Sequence, residues 1–94
     1  MKLKDFKLLE TDMPKGVQAV LDFGKYQLSV VQNEVSYGNK QGLYEIAVFE
    51  DMNQVELPGI TIEGDTVKGW LTESDVDAIM CKMYFLTGTT PRQI

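Results

Sequence analysis

Residues 43–49 read Leu-Tyr-Glu-Ile-Ala-Val-Phe, and this stretch decides the fold. Successive side chains of a β-strand point to opposite faces, so these residues divide into two alternating sets. One set is Tyr44, Ile46 and Val48, and the other is apolar apart from Glu45. A strand that is apolar on both faces belongs in the middle of a sheet that is covered on both sides.

The residues before this strand predict an antiparallel hairpin. Every second residue is apolar over residues 17–23, and the same period returns over residues 26–30. Gly24 and Lys25 lie between the two runs, where a tight turn needs the positive φ that glycine adopts without strain. After the central strand, a short strand is expected at residues 55–57, and residues 60–65 read as either another strand or a loop. The segment 5–10 reads as either a strand or a helical turn.

The last third of the chain predicts one helix between Thr72 and Gly88. Thr72 suits the N-cap, and Asp75 three residues later completes a variant of the capping box. Gly88 suits the left-handed residue that ends a helix, and Pro91 prevents its resumption. The side chains at helical spacing that we expect to be buried are Val76, Ile79, Met80, Met83 and Leu86, with Tyr84 at the margin.

These elements predict a single α+β domain over residues 1–94. Ninety-four residues are too few for two domains of ordinary size. The expected architecture is an antiparallel sheet of four to five strands with one C-terminal helix packed on one face.

One helix cannot cover both faces of a sheet, and the sequence supplies a second apolar set. Val20 and Val31 point away from the hairpin's main apolar side, while Ala78, Cys81 and Phe85 fall opposite the main stripe of the helix. Two arrangements would cover this surface. Either the terminal segments, with Phe6, Leu8, Leu9 and Ile94, fold over it, or the chain forms a homodimer.

Composition excludes several functions. Nine basic and fourteen acidic residues give a net charge of −5, which argues against binding the phosphate backbone of a nucleic acid. The chain has no histidine, the commonest general base and metal ligand. Its single cysteine suits a reducing compartment, and no apolar run approaches the roughly 20 residues of a membrane span. We therefore expect a cytoplasmic protein that contacts neither nucleic acid nor membrane.

No catalytic, cofactor-binding or metal-binding set is predicted. Cys81 is expected to be a buried, inert thiol. Asp51 and Asn53 resemble the start of a calcium loop, but Val55 and Glu56 stand where a ligand and a glycine are required, so a hairpin turn is expected. The chain is accordingly predicted not to be an enzyme.

Two features suggest other functions. Acidic residues cluster between Glu56 and Asp77, either as capping and solvated groups or as a patch for a basic partner. Tyr37, in the loop 33–42, and Trp70 are aromatic residues without a clear place in the core. Together with Glu45, that loop is a candidate for a small-ligand site or an active site, although a flexible loop is the simpler interpretation.

Residues 42–49, 56–59 and 64–72 resemble small uncharacterised proteins encoded by marine bacteriophages. The resemblance implies a phage or environmental origin and an accessory role, and it carries over no catalytic or binding residue.

The sequence thus predicts a non-enzymatic accessory protein that acts through protein–protein contact as a homodimer, in the cytoplasm of an infected host cell if it is phage-encoded. The alternatives are an acidic inhibitor or nucleic-acid mimic of a host protein, and a small-ligand binder or enzyme. The residues expected to make the protein contact are Ala78, Cys81, Phe85, Tyr37 and Trp70.

Overall fold

Seven strands and one α-helix form the fold in a computed structural model that describes all residues, 1–94. Two short 3-10 turns, Leu3–Asp5 and Asn39–Gln41, accompany them. The elements are β1 (Leu9–Asp12), β2 (Lys15–Asp22), β3 (Gln27–Asn33), β4 (Tyr44–Glu50), β5 (Asn53–Val55), β6 (Val67–Leu71), α1 (Glu73–Thr87) and β7 (Arg92–Gln93). The α+β architecture with one C-terminal helix is therefore confirmed.

The strands form one antiparallel sheet that is five strands wide. β2, β3 and β4 are its centre, and the outer edge of β2 pairs with β1 and, further along, with β7. The outer edge of β4 is likewise shared by β5 and β6. β4 is thus an interior strand, as its apolar pattern predicted. Short strands at both edges leave little continuous backbone for another chain to pair with.

The core lies on the face of the sheet that α1 covers. Alternate residues of the central strands supply it, and the expected inward residues Leu21, Phe23, Leu28, Val30, Ile46 and Val48 are all fully buried. Because the side-chain period of a strand is two, the hydrophobic pattern fixed which face each strand turns toward the helix.

The predicted caps of α1 are present. The Thr72 hydroxyl accepts a hydrogen bond from the Asp75 amide at 3.0 Å, and the Asp75 carboxylate accepts one from the Thr72 amide at 2.9 Å. Gly88 ends the helix at φ 67°, in the left-handed region. Val76, Ile79, Met80 and Met83 are buried as expected. Leu86 was expected to be buried but is 57% exposed, because it lies in the last turn beside an open cleft.

The N-terminal segment joins the core on the helix side. It forms the turn Leu3–Asp5 and then an extended stretch that leads into β1. Leu3 is buried, its amide donates to the Asp77 carboxylate of α1 at 2.7 Å, and Phe6 and Leu8 pack against the same core. These residues therefore do not cover the second face of the sheet.

The C-terminal tail extends the sheet edge and likewise leaves the second face open. The Ile94 amide donates to the Val20 carbonyl at 3.0 Å, and the Ile94 side chain is 70% exposed. The Gln93 side chain donates to the Lys7 carbonyl and accepts from the Lys7 amide, so both termini meet at this edge.

The turn after β4 is tighter than the sequence suggested. Asp51 and Met52 both have positive φ, at 51° and 68°, which is typical of a two-residue type I′ hairpin turn. β5 therefore begins at Asn53, two residues earlier than expected, and residues 60–65 form a loop rather than a strand.

Candidate interaction surface

Tyr37 and Trp70, the two aromatic residues without a predicted place in the core, lie on backbone segments that contact each other. A Cβ atom on Gly69 would lie 2.5 Å from the Tyr37 Cβ, and one on Gly38 would lie 3.2 Å from Trp70 Cε3. Each aromatic side chain therefore packs on the glycine next to the other. The Trp70 amide also donates to the Tyr37 carbonyl at 3.4 Å.

The backbone at Trp70 is held in an unusual conformation. β6 bulges between its pairings to Tyr44 and Ile46, and Trp70 has φ 59°, in the left-handed region. That region costs a residue with a side chain roughly 1–2 kcal/mol. The packing on Gly38 holds the strained residue in place, while Trp70 and Tyr37 each remain 60% exposed.

Glu45 binds the backbone of the loop that carries Tyr37. Its carboxylate accepts the Tyr37 amide at 3.0 Å, and β4 turns it toward the face opposite the core. Within the loop 33–42, the Ser36 hydroxyl accepts the Asn33 amide at 2.9 Å and the Asn39 side chain donates to the Ser36 carbonyl at 2.7 Å. The loop is thus internally hydrogen-bonded, and Glu45 serves to position it.

The outer face of α1 carries the predicted second apolar set. Ala78 and Cys81 are exposed, and Phe85 is 79% exposed. The expectation that Cys81 is buried was wrong, because the core takes up only the α1 side that bears Met80 and Met83. The Tyr84 and Phe85 rings meet edge to face, with 5.7 Å between their centroids and 65° between their planes.

Two clefts follow the exposed side of α1 and meet at Lys82. One holds about 360 Å³ between β6 and α1, and includes Trp70 and Ala78 in its walls. The other holds about 290 Å³ and is mainly apolar, lined by Pro58, Gly59, Ile60, Lys82, Phe85 and Leu86. We call Tyr37, Trp70, Ala78, Cys81 and Phe85, with these clefts, the helix-edge surface. Trp70, Ala78 and Phe85 line these clefts, whereas Cys81 lies outside them on α1 and Tyr37 is held by Glu45 on the sheet face opposite the core.

The second face of the sheet carries a row of small and β-branched side chains. Val20, Ser29, Ala47 and Val67 stand opposite one another across four neighbouring strands. The α1 helix and the N-terminal segment pack on the other face, so this row is not covered by either. Polar residues such as Gln18 and Gln27 lie on the same face and interrupt the apolar surface.

The acidic residues between Glu56 and Asp77 mostly cap backbone amides. Glu56 accepts from Gly64, Asp65 from Thr66, Asp75 from Thr72 and Asp77 from Leu3, all at 2.7–2.9 Å. The hydrogen bond from the Thr72 amide, helped by its hydroxyl contact, holds the pKa of the Asp75 carboxyl below its usual value. These contacts support the capping interpretation of the cluster.

Comparisons with protein-family models, with curated proteins and with solved structures find no match to this chain. No group of three or more acidic or cysteine side chains is arranged to hold a metal ion. None of the helices has the length and apolar character needed to cross a membrane.

Proposed function

We propose that this chain is a small, non-enzymatic accessory protein of the phage type that acts through protein–protein contact. Its proposed assembly is a homodimer, and its proposed location is the cytoplasm of an infected cell. The proposal rests on the apolar side chains that the fold leaves exposed on the helix-edge surface.

The observation that carries this proposal is the position of Phe85. An aromatic ring that is 79% exposed lines an apolar cleft of about 290 Å³, and its centroid lies 5.7 Å from that of the Tyr84 ring. Aromatic side chains, phenylalanine among them, are enriched in protein interfaces, and a few buried anchor residues supply most of the binding energy there. Trp70 and Tyr37 add two residue types that are enriched at those positions.

The alternative functions have less support. Nucleic-acid mimicry needs carboxylates that are free to meet a basic partner along a whole face, and four acids of the cluster are engaged in capping. A ligand site in the loop 33–42 needs Glu45 to be available, and its carboxylate holds the Tyr37 amide.

The test is to replace Phe85 with serine and to measure association by sedimentation equilibrium and by affinity capture. Met52→Ser is the control, since Met52 is 94% exposed on the β4–β5 turn, away from α1. We expect the wild type and Met52→Ser to associate, either with themselves or with a captured partner, and Phe85→Ser to lose that association. A mass of 10.6 kDa at every concentration, together with capture that is the same for all three proteins, would contradict the proposal.

A further inference from the structure

We infer that the partner of the helix-edge surface is a second copy of this chain, docked through an antiparallel pairing of the two α1 helices. This inference rests on the proposed function and names the partner and the geometry of the contact. The two-fold axis would pass between Cys81 and Lys82.

The first support is the spacing of residues on the exposed face of α1. Ser74, Ala78, Cys81 and Phe85 follow one another at intervals of four, three and four residues, and all four are exposed. This is the interval at which side chains form the seam between two packed helices. Three of the four are small, so a second helix can approach closely, at the 8–10 Å or so that is usual between packed axes.

The second support is that the bulky and the small residues of this seam match under a two-fold rotation. Ala78 and Phe85 lie equally far along α1 from the point between Cys81 and Lys82. An antiparallel pair centred there sets each Phe85 against the partner's Ala78. A parallel pair would instead set the two Phe85 rings against each other and leave a gap between the two Ala78 side chains. An isologous contact requires such a self-complementary surface.

The third support is the distribution of charge along α1. Glu73, Asp75 and Asp77 lie in its first part, and Lys82 is the only charged residue that follows them in the helix. A parallel pair would bring the two acidic ends together, whereas an antiparallel pair keeps them at opposite ends of the contact. The two Lys82 side chains lie near each other in either arrangement, so they do not discriminate between the two. Antiparallel packing also aligns the helix dipoles favourably.

The area available on α1 limits the size of this contact. Fifteen residues give α1 a length of about 22 Å, and a stable interface buries roughly 800 Å² on each partner. One helix face offers less than that, so the walls of the two clefts must contribute. The interface therefore falls at the small end of the range, where transient contacts are found, and we expect a dimer that dissociates on dilution.

Cysteine cross-linking tests the geometry, because Cys81 is the only cysteine in the chain. Cys81 lies next to the proposed axis, so mild oxidation is expected to give a covalent dimer. In the control Ala78→Cys/Cys81→Ser, the two thiols would lie about 10 Å apart along the axis and should not cross-link. Equal cross-linking of both proteins would indicate parallel or random contact and overturn the inference.

A size exchange tests the proposed pairing of Ala78 with Phe85. Phe85→Ala and Ala78→Phe are each expected to raise the dimer dissociation constant at least about tenfold, because each change occurs twice in the interface. The double variant Ala78→Phe/Phe85→Ala restores one large and one small residue in each pair and should recover most of the loss. If the dissociation constant of the double variant is no lower than those of the single variants, the pairing is overturned.

The outcomes separate this inference from the proposed function. A dimer that forms but neither cross-links at Cys81 nor responds to the size exchange would overturn the helix pairing and leave protein contact as the function. A monomer at all concentrations whose capture of another protein is lost in Phe85→Ser would overturn the second copy as partner, while supporting contact through the same surface.

Discussion

Trp70 shows how the fold holds an exposed aromatic residue in one position. Its left-handed backbone would be costly alone, but the absence of side chains at Gly38 and Gly69 lets Trp70 and Tyr37 pack on the neighbouring backbone. Interface residues that are held before binding lose less conformational freedom when a partner docks. The strain at Trp70 is therefore compatible with a role in recognition.

Gly38→Ala is expected to disturb this aromatic pair more than Gly42→Ala. Both glycines have positive φ, at 86° and 74°, and they flank the same 3-10 turn, so both variants carry a similar backbone strain. A Cβ on Gly38 would also lie 2.9 Å from the Leu43 Cβ, whereas one on Gly42 would meet nothing within 4 Å. We expect Gly38→Ala to lose about 1–3 kcal/mol more of the free energy of unfolding than Gly42→Ala.

The measurement is denaturant unfolding followed by the fluorescence of Trp70, the only tryptophan in the chain. The emission of the folded protein should shift in Gly38→Ala and stay unchanged in Gly42→Ala. Equal losses of stability with identical emission would show that Gly38 does not support Trp70.

The sequence singled out Tyr37 and Trp70 but could not show that they meet. Their proximity depends on the register between β4 and β6 and on the bulge within it, which no local pattern encodes. The error at Cys81 has a related cause. Helical spacing identified two apolar faces on α1, but how much of the helix the core covers depends on the packing of distant segments such as Leu3 and Ile60.

Helix α1 is the element whose limits the sequence predicted best, because caps are local. Thr72, Asp75 and Gly88 act within one turn of the helix ends and need no distant partner. The edge strands behave differently. β7 has two residues, and its pairing depends on reaching the outer edge of β2. Strands this short carry too little periodicity to be recognised in a sequence.

The capping box at the start of α1 is expected to make stability depend on acidity. Thr72→Ala should cost about 1 kcal/mol of the free energy of unfolding at neutral pH. The pKa of the Asp75 carboxyl is lowered in the folded protein, so its contribution is present above the ordinary aspartate pKa. That contribution is lost as the pH falls through the lowered value.

Asp75→Asn, which keeps a side-chain acceptor but removes the charge, should therefore be less stable than the wild type at neutral pH. The difference should shrink below about pH 4, where aspartate begins to be protonated. Urea unfolding at a series of pH values measures it, with Glu73→Gln as the control that leaves the capping box intact. A stability difference that stays constant down to about pH 2 would contradict this role of Asp75.

The whole molecule has two surfaces that lie outside the core formed between the sheet and α1. One is the outer face of α1, and the other is the sheet face opposite the core, where the half-buried Val20, Ala47 and Val67 alternate with polar residues. Both termini pack elsewhere, since Leu3 enters the core and Ile94 extends the edge of β2. The geometry of the proposed dimer assigns the contact to the helix and leaves the sheet face to solvent.

The same substitution on each surface distinguishes these two assignments. Ala78→Lys places a charge on the helix seam beside Lys82, while Ala47→Lys places one in the row on the open sheet face. An uncompensated charge in a buried interface is strongly unfavourable, but a lysine on a solvated face can extend its ammonium group into water. We therefore expect Ala78→Lys to remain monomeric and Ala47→Lys to dimerise like the wild type. Sedimentation velocity over a range of concentrations measures this, and thermal unfolding verifies that both variants are folded. Loss of the dimer in Ala47→Lys alone would place the contact on the sheet face.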